Sequence, residues 1–175
     1  GVLFGTAVVA ASSSIANQIL ERHTDRLMAR TASRPLSAGR LSNHSAWLLV
    51  GVSLFGGSGC VWLAGNLQAA SAALLTWILY VGVYTPLKRI TPLNTAVGAV
   101  AGALPIAIGW LAADGPQQLL NGDISATLAV AALGTVLYLW QFPHFMAIAW
   151  LYRKQYGLAG LKMLTVTDPS GLRAA

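Results

Sequence analysis

Charge is scarce in this chain of 175 residues: 9% of its positions are charged, with five acidic residues against eleven basic ones. Soluble domains carry about a quarter charged residues. The long apolar blocks of the chain exclude a soluble nucleic-acid binder in spite of the net charge of +6. Cysteine is nearly absent. The lone Cys60 lies in an apolar run, so an intrachain disulfide and a C-x-x-C-H haem attachment are both excluded and packing is its expected role. No initiating Met and no charged n-region precede the first apolar run, so residue 1 is not the start of a secretory signal. With the polar "DPSGLRAA" at the other end, this gives the expectation of an internal fragment of a larger membrane protein.

What is present is apolar. Hydrophobic residues make up 55% of the chain, and the blocks 1–20, 41–87, 90–113 and 124–152 contain no Asp, Glu, Lys or Arg. About 20 apolar residues span a bilayer core, so the second block holds two helices and the others one each. The break within the second block falls at "AGNLQ", residues 64–68. The pattern predicts an all-α, polytopic transmembrane bundle in one domain, 1–175, with helices at roughly 1–24, 44–64, 69–85, 93–112 and 125–150. The loops 25–43, 86–92 and 151–175 are basic, whereas 65–68 and 113–124 hold no Lys or Arg. By the positive-inside rule the basic loops face the cytoplasm, which predicts a multi-pass protein of the cell membrane. Glycines in "GGSG" (56–59) and "GAVAG" (98–102) predict close helix packing. Pro105 and Pro143 fall inside helices and each frees a carbonyl, which is tolerated where a neighbour or water compensates.

Against this background "NQILERHTDRLMARTASRPLSAGR", residues 17–40, is unusual, because it gathers two acids and five arginines. If the first helix runs on past the membrane border, Asn17, Glu21 and Asp25 recur at i, i+4 and i+8 and share one face. An amide and two carboxylates there suit a hard cation such as Mg2+, which takes one or two carboxylates plus phosphate and water. Arg22, Arg26, Arg30 and Arg34 also recur every fourth residue, a cationic stripe expected to continue until "RPL" ends the helix. Spacing leaves two readings open. One is an ordinary Arg22–Asp25 ion pair at a basic cytoplasmic border; the other is a carboxylate row beside an arginine row that holds a metal-bound diphosphate. Four like charges at this spacing repel one another by a few tenths of a kcal/mol per pair unless an anion lies between them.

The same stretch resembles the first aspartate-rich motif, N-x-x-x-D-x-x-x-D, of the UbiA superfamily of intramembrane prenyltransferases, with Glu21 standing where the pattern has Asp. "DRLMARTASRPL", "YTPLKRITPLNTAVGAVAGALPIAIGW" (84–110) and "WQFPHFMAIAWLYRKQYGLAGLKML" (140–164) resemble its protohaem IX farnesyltransferase branch. The resemblance implies a bundle of about nine helices around a cavity open to lipid, and the match begins in the second helix. It implies transfer of a farnesyl group from farnesyl diphosphate to a vinyl group of haem B, with water added, to give haem O. Haem B is then a substrate, Mg2+ the cofactor, and haem A synthase or terminal-oxidase assembly a downstream partner.

Carried over position by position, the resemblance assigns Asn17, Glu21 and Asp25 to Mg2+, with Asp25 also catalytic. It assigns Tyr84 and Lys88 to a Y-x-x-x-K element that engages the diphosphate and shields the allylic cation. Arg22, Arg26, Arg30, Arg34, Lys88, Arg89, Arg153 and Lys162 are the expected diphosphate-binding cations. The last segment departs from the family pattern: "RKQY", residues 153–156, offers Lys154 and Gln155 where a second acidic motif would stand, and so no carboxylate for a second Mg2+. Trp110, Trp140 and Phe142 are further rings for cation shielding, with core or interfacial packing as the blander reading. His144, an ionisable residue within a span, is the expected haem-binding residue, with a hydrogen-bonded histidine near the interface as the blander reading, while His23 and His44 have no special role. No Ser/His/Asp constellation is present, and none is needed. The rival readings are a UbiA-type prenyltransferase acting on a quinone precursor or other aromatic acceptor, and a transporter, which would place ionisable groups at mid-membrane.

Overall fold

The computed structural model describes residues 1–168 and Ser170, and the end of the predicted loop 151–175 lies outside the described residues. Five helices are long and apolar enough to cross a membrane: α1 (Val2–Arg26), α2 (Asn43–Ala64), α3 (Leu67–Leu87), α4 (Asn94–Ala112) and α6 (Ser125–Leu151). Three short helices connect or follow them: α5 (Gly115–Leu120), α7 (Arg153–Leu158) and α8 (Leu164–Thr167). No strand occurs among the described residues, so the fold is the all-α bundle that the hydropathy pattern predicts.

The few polar residues at helix ends have definite work. The Ser42 hydroxyl accepts from the Ser45 amide at 3.0 Å and caps α2. In "AGNLQ", Asn66 caps α3 by accepting from the Ala69 amide, and its Nδ2 donates to the Leu111 carbonyl at 2.6 Å and to Asp114. One residue thus starts a helix and fastens the end of α4 beside it. Asp123 accepts from the Ser125 amide and hydroxyl at the start of α6, and these bonds hold its carboxyl below the usual carboxylate range.

Close helix approach is built on two glycines. A Cβ on Gly57 would sit 2.8 Å from the Gly5 carbonyl oxygen, and one on Gly5 would sit 2.7 Å from that of Gly57. The α1 and α2 backbones therefore touch where lipid supplies no hydrophobic drive. Within "GGSG" only Gly57 is so placed, since Gly56 and Gly59 face open space. Gly57→Leu is expected to destabilise the bundle by about 2–3 kcal/mol through overpacking, whereas Gly59→Leu leaves stability unchanged; thermal unfolding in detergent checks both. Above this contact Ser12 donates to the Val50 carbonyl at 2.9 Å and accepts from Trp77 Nε1 at 3.1 Å, which links α3 to α1 and α2. Val9, Val61, Ala69, Ala73 and Ile108 form the buried core among the first four spans.

Two departures from regular helix shape the end of the bundle that carries the basic loops. Residues Leu79–Tyr84 of α3 are π-helical, with the Thr85 amide donating to the Tyr80 carbonyl. Such segments concentrate at functional sites. The second departure corrects the expectation of a continuous arginine stripe, because α1 ends at Arg26. The Asp25 carbonyl, which a continuing helix would offer to the Ala29 amide, instead accepts from the Met28 amide at 3.3 Å and the Thr31 hydroxyl at 2.9 Å. The chain reverses there, and Arg30 and Arg34 leave the helical register of Arg22 and Arg26.

Candidate functional site

Asn17, Glu21 and Asp25 do share one face of α1, as their spacing predicts, and all three are buried, Asp25 to 1% exposure. They line a cavity of about 200 Å³ at the basic end of the bundle. Burying two carboxylates is costly unless each is paired, and the fold supplies a cation to each. Lys88 Nζ lies 3.0 Å from Glu21 Oε1 and donates to Oε2 at 3.1 Å. Arg34 donates to Asp25 Oδ2 at 2.8 Å. Lys88 is brought there by the π-helical end of α3, where its ammonium also stands 4.5 Å from the centre of the Tyr84 ring. Arg34 arrives by the chain reversal after α1.

Asn17 donates through Nδ2 to Thr85 Oγ1 at 3.1 Å, and that hydroxyl donates to the Tyr80 carbonyl. Its Oδ1 accepts nothing among the described residues. Glu21 Oε1 is buried, in ion-pair contact yet without a directed hydrogen bond, and Asp25 Oδ1 likewise has no donor among the described residues. Three hard oxygens thus stand on one helix face without hydrogen bonds. That donor set fits Mg2+, which leaves the rest of its shell to water and phosphate. No group of three or more His, Cys, Asp or Glu residues that could hold a metal occurs among the described residues.

The cavity has a second cationic wall. Arg30 lines it and donates to the Tyr156 hydroxyl at 3.3 Å, with its guanidinium 5.1 Å from the Tyr152 ring centre. Asn94, 1% exposed, donates to the Thr91 and Lys162 carbonyls, and the Lys162 amide donates to the Lys88 carbonyl at 2.7 Å. These bonds hold the segment after α7 against the α3–α4 turn. Tyr80, Asn94, Phe145 and Tyr156 are cavity residues that spacing alone did not single out. Tyr156 ends the quoted "RKQY", and Tyr80 precedes Tyr84 and Lys88 at the same interval of four, which was the available signal.

Several expected residues lie elsewhere. Arg22 donates to His23, Arg26 donates to the Ser37 carbonyl at 2.8 Å, and Arg89 donates to Thr24 Oγ1, fastening the end of α3 to α1. Arg153 is exposed, donates to the Trp150 carbonyl and stacks on the Trp150 ring. Lys162 contributes backbone, while its side chain is exposed. His144 is exposed on α6, its ring near-parallel to Trp140 with centres 6.3 Å apart, and it lines neither the charged cavity nor the apolar one behind it.

That second cavity, deeper in the bundle and about 290 Å³ in volume, is lined by small and apolar residues of α1, α3, α4 and α6, with Gln141 among them. Tyr80 and Phe145 line both cavities, so these two rings mark where the charged site meets the apolar chamber. The glycines of "GAVAG" make room at this level. A Cβ on Gly98 would sit 2.7 Å from the Tyr84 ring, and one on Gly102 would collide with Gln141 Nε2.

Comparison with known proteins adds an independent finding. The model of the UbiA prenyltransferase family matches residues 1–175. The chain is 47% identical over 174 residues to protoheme IX farnesyltransferase of Rhodopirellula baltica, a match covering 99% of this chain and 58% of that protein. It is 45% identical over 175 residues to the mitochondrial protoheme IX farnesyltransferase of Arabidopsis thaliana, covering 98% and 38%. For the Koribacter versatilis protein of the same name the identity is 39%, covering 99% and 53%. The chain spans about half the length of the curated relatives it matches. No solved structure matches it.

Proposed function

The chain belongs to the UbiA prenyltransferase family, and from that premise we propose that it is part of an integral membrane enzyme that transfers a farnesyl group from farnesyl diphosphate to a vinyl group of haem B and, with water, yields haem O. One observation carries the reading: a cavity with two carboxylates and three cations adjoins an apolar chamber, with Tyr80 and Phe145 lining both. A substrate with a diphosphate head and a hydrocarbon tail needs that pairing. The choice of haem rests on the relatives, each named protoheme IX farnesyltransferase.

Cleavage of an allylic C–O bond separates a carbocation from a diphosphate anion. Lys88, Arg30 and Arg34 line the cavity as fixed positive charge where the leaving group's negative charge develops. Their carboxylate and tyrosine partners hold them in place beforehand, so little reorganisation accompanies the reaction. Asn17, Glu21 and Asp25 would hold Mg2+, which when bound supplies Lewis acidity toward the diphosphate. The faces of Tyr84 and Tyr80, whose ring centres are 5.1 Å apart, shield the cation, and the apolar chamber keeps stray water from the chain. Arg22, Arg26, Arg89, Arg153 and Lys162 lie outside the cavity and add to a basic surface that steers the anionic substrate inward. The basic loops face the cytoplasm and the protein resides in the cell membrane, where haem A synthase or terminal-oxidase assembly takes the product.

The experiment is to supply membranes containing the full-length protein with haem B, farnesyl diphosphate and Mg2+ and to identify the product by mass. Haem O is expected, at a rate that falls to background with EDTA. A prenylated quinone precursor in a parallel incubation, with no farnesylated haem, would overturn the acceptor.

A further inference from the structure

Gln141 is the feature that the proposed chemistry leaves unused. It is the one carboxamide lining the apolar chamber, four residues before Phe145 on the same face of α6 and hence about 6 Å deeper than the junction of the two cavities. A polar amide facing an apolar space within a span is costly unless it finds a partner, yet Gln141 makes no hydrogen bond to any described residue. The fold makes room for it: at Gly102 even a methyl group would collide with its Nε2. The other polar groups of the chamber divide. Ser13 and Thr76 donate to carbonyls of their own helices, whereas the Ser14 and Thr6 hydroxyls, like Gln141, have no partner among the described residues.

We propose that Gln141 is a positioning residue for water: its amide, with the Ser14 hydroxyl across the chamber, holds the single water that the reaction consumes. The proposal rests on the haem O reading given above, and the balance of that reaction explains why such a group is needed. The farnesyl C–O bond breaks and its electron pair leaves with the diphosphate. The vinyl π pair forms the new C–C bond to the farnesyl carbon, leaving a cation on the carbon attached to the porphyrin. A lone pair of the water oxygen then forms a C–O bond to that carbon, and the released proton goes to the diphosphate. Without a water in place the same cation closes by losing a proton from the neighbouring CH2, giving an alkene lighter than haem O by one water. A chamber built to exclude water must therefore admit one at a fixed point, and a polar group with two or more hydrogen-bonding directions is how buried water is held.

The test reads the product ratio in membranes carrying the full-length protein, because that ratio is independent of how much enzyme folds. Gln141→Leu is expected to raise the proportion of alkene to haem O about tenfold, the effect of losing one ordinary hydrogen bond to the water. Gln141→Met, closer in volume, gives the same shift, and Gln141→Glu restores the hydrated product. If the parent makes haem O and both apolar variants keep its ratio, at whatever total rate, the inference fails while the haem O reading stands. If the parent makes no farnesylated haem at all, the reading fails and takes the inference with it.

Discussion

Asp25→Asn is expected to lower turnover by on the order of 10³-fold while leaving the fold intact, because under the proposed function it removes a carboxylate that holds Mg2+ where the diphosphate leaves. The isosteric amide keeps the shape of a residue only 1% exposed and can still accept from Arg34, which bonds Oδ2 at 2.8 Å. What disappears is the negative charge, and with it much of the ligand strength of the unbonded Oδ1. If Asp25 holds Mg2+, the variant also needs more of it, so that the Mg2+ concentration for half-maximal turnover rises and excess metal recovers part of the rate. Turnover of haem B at a series of Mg2+ concentrations, with thermal unfolding alongside, separates the two effects. An Asp25→Asn variant with the parent's Mg2+ response would show that Asp25 serves only to place Arg34.

Lys88→Met is expected to damage both stability and turnover, and a second substitution takes the two apart. Lys88 and Glu21 are 8% and 7% exposed, with Nζ 3.0 Å from Oε1. Removing the ammonium leaves a buried carboxylate uncompensated, at a cost of about 3–5 kcal/mol. Lys88→Met combined with Glu21→Gln removes both charges, and most of the lost stability is expected to return, since a neutral pair of similar volume packs without a desolvation penalty. Turnover is not expected to return, because under the proposed function the double variant still lacks a cation for the diphosphate and a carboxylate for Mg2+. Unfolding midpoints and haem O formation rates for the two single variants and the double variant check this. A double variant that regains turnover along with stability would reduce the pair to a structural bridge.

Much of the molecule is local in its causes, and that part was legible. Five spans follow from runs of apolar residues longer than a bilayer core, since each helix must satisfy its own backbone in lipid whatever its neighbours do. The shared face of Asn17, Glu21 and Asp25 follows from helical periodicity alone. The fate of the arginines was not legible in that way. A spacing of four predicted one stripe, but the helix stops at Arg26, where the Thr31 hydroxyl and the Met28 amide take the Asp25 carbonyl. Arg34 then returns to Asp25 while Arg26 turns to the Ser37 carbonyl. Identical side chains at identical intervals thus ended in a cavity wall and in a loop brace.

By itself, the sequence determined the all-α membrane architecture, the clustering of basic charge in alternate loops and the row of oxygens on α1. Hydropathy and helical period act within a few residues of one another and can be read along the chain. Only the tertiary structure decided which cation meets which carboxylate, that Tyr80 and Phe145 stand between a charged cavity and an apolar one, and that Gln141 faces the latter through the gap left by Gly102. Glu21 and Lys88 lie 67 positions apart in the sequence. Their meeting depends on how closely α1 and α3 pack and on the π-helical end of α3, and no local pattern encodes that distance.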